Sequence, residues 1–299
     1  MSSDGPPLVS AIITAFNNEA TIGPAIESFL HQNFIDREII VVDDGSRDST
    51  RRVIESYRNL VRSVFQQNRG SASARNAGAR NARGKYLAYL DGDDVSLPDR
   101  LRLQAEALES RPEVGLVYGN IHLIDAQGRH ARRRGGTGRY KSGRVTRELA
   151  IKNFVPFSTV MLRRELLETI GMFDETIRSS EDWDMLVRLS RYCEFLYLDR
   201  ALVNYRILPN SKTANLDEKE RAYKRVRDKI FAENDFGPDQ GRLMHLSDAS
   251  LNFSLLGISL RYEKYSRALG YLWRGLVASP EIVYLYRREI ASRLSSFLS

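Results

Sequence analysis

The chain has 299 residues, 42% hydrophobic and 28% charged, with a net charge of +7. That is an ordinary globular composition long enough for about two domains, with no apolar run near the roughly 20 residues a bilayer span needs. The first ten residues lack the basic and apolar regions of a secretory leader, and the single Cys193 excludes an internal disulfide, so a cytoplasmic location is expected.

The first half alternates strand-like runs with helical patterns, the signature of an α/β layer with a largely parallel sheet. Leu8 to Phe16 reads as the first strand, followed by a helix over about Thr21 to Gln32 with Ile22, Ile26, Phe29 and Leu30 on one face. Glu38 to Val42 is the second strand, breaking at Asp43-Asp44-Gly45-Ser46, where Asp48 or Ser49 suits the cap of the next helix. Val61 to Phe65 is the third, Ala72 to Arg83 a helix of small residues, and Tyr86 to Leu90 the fourth strand.

That fourth run ends in Asp91, Asp93 and Asp94. Like charges this close need screening by water, basic groups or a cation. Hard cations such as Mg²⁺ or Mn²⁺ take oxygen ligands, often one or two carboxylates completed by substrate phosphates. The same residues also suit a solvated acidic turn before a helix near Pro98, so the choice depends on residues elsewhere.

Loops at the carboxyl ends of such strands face one crevice, which brings Ala15 to Asn17, Asp43 to Ser46 and Asp91 to Asp94 together. Asp43 suits hydrogen bonds from a base or ribose. The stretch from Asn68 to Gly78 offers backbone donors, room for close approach, and Arg75 as a forked donor. Together these describe a nucleotide diphosphate site. A Gly-x-Gly-x-x-Gly after the first strand and a phosphate-loop Gly-Lys-Ser/Thr are both lacking, which removes the dinucleotide and P-loop classes.

Val114 to Asp125 reads as a strand reversed at Asp125-Ala-Gln-Gly128. Seven basic residues follow without an acidic one, Arg129, Arg132, Arg133, Arg134, Arg139, Lys141 and Arg144, and the remaining 38 basic residues balance 38 acidic ones. The interleaved glycines predict a flexible loop, suited to an anionic lipid surface or a phosphate-bearing acceptor and not to a nucleic-acid groove. Phe154 to Met161 reads as another strand, and Ser179 or Ser180 caps a helix opening with Glu181-Asp182-Trp183-Asp184. Its packing stripe is Trp183, Leu186, Val187 and Ser190, and adjacent helical positions point about 100° apart, so only one of the three acids aims squarely at the crevice.

From Asn215 the pattern is helical: Lys219 to Phe231, Leu243 to Arg261 and Tyr265 to Val277, then an amphipathic segment, Ile282 to Leu298, suited to packing or to a membrane surface. The expected division is 1–214 and 215–299.

The ordered set Val9 to Asn17, Ile40 to Ser46, Gly70 to Gly78, Tyr89 to Asp94 and Ser180 to Asp184 resembles the inverting family 2 glycosyltransferases, across about residues 8 to 211. The resemblance implies a GT-A type nucleotide-sugar-binding sheet flanked by helices, followed by the C-terminal all-helical region. It implies a UDP-sugar donor held by Thr14, Ala15, Phe16, Glu19, Asp43, Asp44, Asn68, Arg75, Asp91, Gly92, Asp93 and Arg206. Within that set Phe16, Asp43 and Arg75 would hold the uracil, Asp91 the ribose, and Asp93 the Mn²⁺ or Mg²⁺ on the diphosphate. Asp182 would be the general base, with Glu181 beside it holding an acceptor hydroxyl or orienting the base, and Asp184 solvated. The acceptor would be a glycan or lipid-linked sugar, with the chain peripheral at the inner face of the membrane and no nucleic acid involved. Relatives often carry a His where this sequence has Leu208, which cannot ligate a metal. A nucleotidyltransferase is the main alternative, but Thr14 to Glu19 lacks the basic residue a triphosphate calls for; an inactive nucleotide-sugar-binding module is a second, opposed by Glu181 and Asp182.

Overall fold

The computed structural model describes residues 5–134, 140–208, 216–261, 264–279 and 281. They divide into two compact units, one spanning Met1–Val145 and Val155–Leu208, the other Thr146–Phe154 and Pro209–Ser299. In the first, β1 (Val9–Ala15), β2 (Arg37–Asp43), β3 (Arg62–Phe65) and β4 (Tyr86–Asp91) lie parallel in the order β3-β2-β1-β4. Ile12, Ile13, Ile40, Val41, Leu87 and Ala88 are all buried, neighbours on opposite faces alike. Coverage of both faces is why β1, β2 and β4 read as continuous apolar runs and not as alternating ones.

The connecting helices are α1 (Ile22–Leu30), α2 (Thr50–Ser56) and α3 (Ser71–Asn81). In α1 the buried stripe is Ile22, Ala25, Ile26 and Phe29, at helical spacing. The α2 start is held by Asp48, whose Oδ1 accepts from Thr50 N at 3.0 Å, while Ser49 makes no side-chain cap. The small residues of α3 let it approach the sheet closely: a Cβ on Gly78 would stand 2.4 Å from Ile12 Cγ2. Gly78→Ala is therefore expected to destabilise the fold by about 1–3 kcal/mol in urea unfolding, through overpacking. Unchanged stability would mean that α3 does not rest on β1 through this residue.

Beyond β4 the sheet becomes mixed, with β5 (Val95–Ser96), β6 (Val114–Ile124), β7 (His130–Arg134), β8 (Met161–Arg163) and β9 (Glu194–Arg206). Strand β8 runs antiparallel between β4 and β6, β6 is parallel to β9, and β5 lies antiparallel on the far side of β9. The helices here are α4 (Arg100–Glu109), α5 (Thr146–Ile151, part of the second unit), α6 (Leu166–Ile170) and α7 (Glu181–Ser190). Arg100 on α4 is fully buried and donates through Nη2 to Tyr89 O at 2.8 Å and Val160 O at 3.1 Å. Gln104, one turn on, donates to Val117 O at 2.9 Å and Thr159 O at 2.8 Å. These side chains tie α4 to β4, β6 and the 157–160 segment. Burial pushes the Arg100 guanidinium down to about 9, against the opposing pull of the Asp94 charge.

Two sequence expectations change here. Phe154 to Met161 is not one strand but a 3-10 turn, Phe157–Thr159, leading into β8. Pro156 has no N–H for a ladder, and its carbonyl accepts from Thr159 N at 2.9 Å and Thr159 Oγ1 at 2.7 Å, which closes the turn. The basic segment is not wholly a loop, since its start is β7, paired antiparallel with Ile121–Ile124. Asp125 closes that hairpin: its Oδ1 accepts from Gln127 N at 3.0 Å and Arg129 N at 2.9 Å, and its Oδ2 from Arg129 Nε at 2.8 Å. Residues 135–139, including Arg139, lie outside the described ones.

The second unit contains α5, α8 (Leu216–Glu233), α9 (Gln240–Arg261) and α10 (Tyr265–Ala278). Tyr223 Oη of α8 donates to Ile151 O at 2.9 Å, recruiting α5 from outside a 215–299 segment. Gly275 lets α10 meet Phe253 of α9, whose ring would lie 3.0 Å from a Cβ there. The amphipathic segment Ile282 to Leu298 lies outside the described residues.

Candidate active site

Register sets the first half of the site. Ala15 pairs with Asp43, Thr14 with Asp91, and Asp43 with Phe65, so the carboxyl ends of β3, β2, β1 and β4 form one row. The turns leaving that row are stitched to it and to each other. Asp44 N donates to Ala15 O and Gly92 N to Thr14 O, both at 2.9 Å. Asn17 takes a left-handed φ of 54°, donates to Ser46 Oγ at 2.9 Å and accepts from Arg47 N at 2.9 Å. Glu19 accepts from Ser49 N at 2.9 Å, so its carboxylate joins the two turns. Phe16, between them, exposes 40% of its surface at the row's edge, where a base can stack on it.

The adjacent acids of the second turn divide their work. Asp43 Oδ1 accepts from Ser46 N at 3.0 Å and from Ser46 Oγ, which holds the carboxylate at the strand end. Asp44 is buried and organises the following loop: Gln66 Nε2 (2.7 Å) and Arg69 N (2.9 Å) donate to its Oδ1, and Gly70 N (2.8 Å) to its Oδ2. This gives Asp44 loop donors where the sequence suggests a donor-sugar contact. The loop passes so close to Gly45, at φ 73°, that a Cβ there would lie 2.6 Å from Asn68 N, and Asn68 itself ends up exposed.

Arg75 joins the two acidic motifs. It lies buried on α3, and its Nη1 donates to Glu181 Oε1 at 2.7 Å and its Nη2 to Asp91 Oδ1 at 2.9 Å. Its guanidinium carbon sits 4.6 Å from the Phe157 ring centroid and 5.7 Å from that of Phe173. Those rings pack on each other and on Tyr89, so the cation occupies an aromatic corner. Burial opposes the charge, but Asp91, Glu181 and Asp182 outweigh it and hold the guanidinium pKa above its usual value. The sequence suggests Arg75 as a donor to a base; the structure commits both terminal nitrogens to carboxylates.

The three acids of α7 are likewise separated. Glu181 faces Arg75, and Asp184, 2% exposed, accepts from Arg188 Nε at 3.0 Å. Asp184 is therefore buried and ion-paired, not solvated, because α7 turns it towards Arg188 one helical turn on. Asp182 is the half-exposed member, and its Oδ1 accepts from Trp183 N at 2.8 Å. Ser180 enters the helix at φ 65° without a side-chain cap, contrary to the expected capping role.

The acidic turn after β4 is braced by β9. Arg206 N donates to Asp94 Oδ1 (2.9 Å), Arg206 Nε to Asp93 O (2.8 Å), and Nη1 to Asp125 O (3.1 Å) and Ala126 O (3.0 Å). These groups hold the turn, where the family resemblance implies a contact with the donor. Burial, then the neighbouring Asp91 charge, pushes Asp93 up to about 6; burial with Asp93 and Asp91 pushes Asp94 well above the usual carboxylate range. Among the described residues no group of three His, Cys, Asp or Glu side chains is arranged to hold a metal. Asp93 suits a hard cation that arrives with a diphosphate and takes its remaining ligands from phosphate and water.

Sequence reading missed the Phe157–Phe173–Tyr89 corner as a support for Arg75, and Asn76 as its clamp. Asn76 Nδ2 donates to Phe173 O and Phe173 N to Asn76 Oδ1, both at 2.9 Å. The only available signal was a polar amide within a small-residue helix, which spacing does not connect to residues about a hundred positions away.

This strand order, with its row of strand ends and its acidic turn, is shared with solved structures of the GT-A type. Residues 10–171 match the model of Glycosyl transferase family 2. The chain belongs to that family and is a glycosyltransferase. It is 27% identical to an uncharacterized glycosyltransferase of Rickettsia prowazekii, over 95% of this chain and 92% of the other. Chondroitin synthase of Escherichia coli is 32% identical over 75% of this chain, which spans 33% of that longer protein. Solved structures that share the fold include S. aureus TarS 1-349 in complex with UDP-GlcNAc, and the mannosyltransferase PcManGT from Pyrobaculum calidifontis in complex with GDP-Man and Mn²⁺. TarS has TM-score 0.60 and 21% identity over 92% of this chain and 82% of that one. PcManGT has TM-score 0.58 and 18% identity over 92% of this chain and 87% of that one. No helix among the described residues is long and apolar enough to cross a membrane.

Proposed function

We propose that the chain moves a sugar from a UDP-activated donor to a glycan or lipid-linked acceptor, with inversion, in surface polysaccharide or glycoconjugate assembly at the inner face of the membrane. The observation that carries this reading is Arg75, whose two ion pairs bring the donor-side Asp91 and the Glu181-Asp182 pair to one guanidinium. Similarity in fold to proteins bound to UDP-GlcNAc and to GDP-Man with Mn²⁺ supports a nucleotide-sugar donor.

Phe16 stacks on the uracil, Asp43 and the exposed Asn68 border it, and Asp91 meets the ribose. Asp93 would hold a Mn²⁺ or Mg²⁺ ion, which supplies Lewis-acid neutralisation of the diphosphate. Asp182 takes the proton from an acceptor hydroxyl as its oxygen bonds to the anomeric carbon. The bond from that carbon to the diphosphate breaks on the opposite face, and UDP leaves with the bonding pair. Glu181, fixed by Arg75, sets the start of α7 and so the direction of Asp182.

Thermal-shift screening of nucleoside diphosphate sugars with Mn²⁺ tests the reading, and stabilisation selective for UDP-sugars is expected. Stabilisation only by nucleoside triphosphates would replace it with a nucleotidyltransferase. Asp93 adds a pH signature. A raised pKa means that the folded protein without cation favours the protonated form, which it loses as pH rises through about 6. Cation binding needs the carboxylate, so Mn²⁺-dependent UDP affinity should fall about tenfold per pH unit below 6 and level off above it. Calorimetry should find this slope gone, with UDP binding no longer raised by Mn²⁺, in Asp93→Asn. A variant that keeps the slope would remove Asp93 as the ligand.

A further inference from the structure

Helix α10 is apolar on two faces. One, with Ala268, Tyr271 and Gly275, is buried. Beside it, Tyr265, Leu269, Trp273 and Val277 repeat every fourth position and are 49%, 70%, 70% and 64% exposed. Leu272 and Leu276, half-buried, fill the gap between the two faces. Large aromatic and aliphatic groups gain stability when removed from water, so a contiguous exposed stripe of this kind signals an interaction surface.

Its charge surroundings indicate the partner. From Lys264 to Ser279 there are three basic residues, Lys264, Arg267 and Arg274, and no acidic one. Arg267 pairs with Asp217 at 2.9 Å and Arg274 with Glu220 at 3.3 Å, yet the two arginine side chains stay 48% and 53% exposed. Such exposed pairs contribute little to stability. The sequence after α10 adds Arg287, Arg288 and Arg293 between Ile282, Leu285, Tyr286 and Ile290. Tryptophan and tyrosine with leucine on one side, and cations beside them, is the chemistry of a helix lying in a lipid headgroup layer.

We propose that the Tyr265–Leu269–Trp273–Val277 face of α10 docks the protein on an anionic lipid surface. This deepens the membrane-surface part of the proposed function and is independent of the donor chemistry. The full chain is tested by co-sedimentation with phosphatidylglycerol-containing vesicles and with neutral phosphatidylcholine vesicles. Binding is expected on the anionic vesicles only, weakening with salt, and falling about tenfold or more in Leu269→Glu/Trp273→Glu. UDP-sugar hydrolysis in solution should be unchanged in that variant, which also shows that it folds. A second measurement needs no variant. The chain has two tryptophans, and Trp183 is 1% exposed, so quenching by brominated anionic lipids reports on Trp273. Strong quenching supports insertion. Lack of quenching, vesicle binding that survives the double substitution, or a dimer dissolved by it with no vesicle binding would each overturn the proposal, the last by giving the face to a second copy. Vesicle binding without any turnover of UDP-sugars would instead sink the transfer reading and leave the docking face standing.

Discussion

Asp182→Asn is expected to cut transfer by about 10²–10⁴-fold while leaving UDP affinity within about twofold of the parent. The amide keeps the shape of the side chain and its acceptor oxygen for Trp183 N but cannot take a proton. Single-turnover transfer and calorimetric UDP binding, measured on the same preparation, separate the two effects. If the variant transfers as fast as the parent, the base lies elsewhere. Glu181→Gln and Asp184→Asn provide the contrast, since both acids are occupied by arginines and are expected to act through stability and placement of α7. A loss of transfer confined to Asp184→Asn, with a normal melting curve, would move the base to that position.

Arg75→Met should destabilise the first unit by about 3 kcal/mol, the second large effect. Removing the guanidinium leaves the buried Glu181 without its counter-charge, while Asp91, 38% exposed on its side chain, is partly relieved by water and contributes less. The methionine still fills the corner formed by Phe157 and Phe173. The signature is non-additivity: Arg75→Met/Glu181→Gln should recover part of the loss, because the stranded charge is gone. Urea unfolding of the four proteins reads the coupling. A double variant that loses the sum of the two single losses would show that the ion pair does not hold these elements together.

Much of the site is local in the chain and therefore legible in it. The strands ending at Ala15, Asp43 and Asp91 announce themselves because apolar runs stop at small and acidic residues, and parallel strands put their carboxyl ends on one side. The observed register, with Ala15 opposite Asp43 and Thr14 opposite Asp91, follows the expected convergence. The misreadings have physical causes. Phe154 to Met161 has strand-like composition, yet Pro156 and the Thr159 hydroxyl close a turn inside it. Arg132 to Arg134 have poor strand composition, yet backbone pairing to β6 overrides propensity once Asp125 has set the hairpin.

Side-chain assignment was the part that periodicity could not provide. Helical spacing already sets Arg188 one turn from Asp184, but it does not connect Glu181 to Arg75, which only the tertiary fold brings to it. Arg206, implied by the resemblance to hold the donor, is placed by β9 against the acidic turn.

By itself the sequence determined the layered α/β class, the acids at the strand ends and the helical character of the C-terminal region, because these follow from hydrophobic period and turn chemistry within short windows. Tertiary structure decided which charges meet, which carboxylate remains half-exposed and which face of α10 is exposed to water. The Arg75–Glu181 pair joins residues 106 positions apart, and its energy exists only once the fold has brought them together.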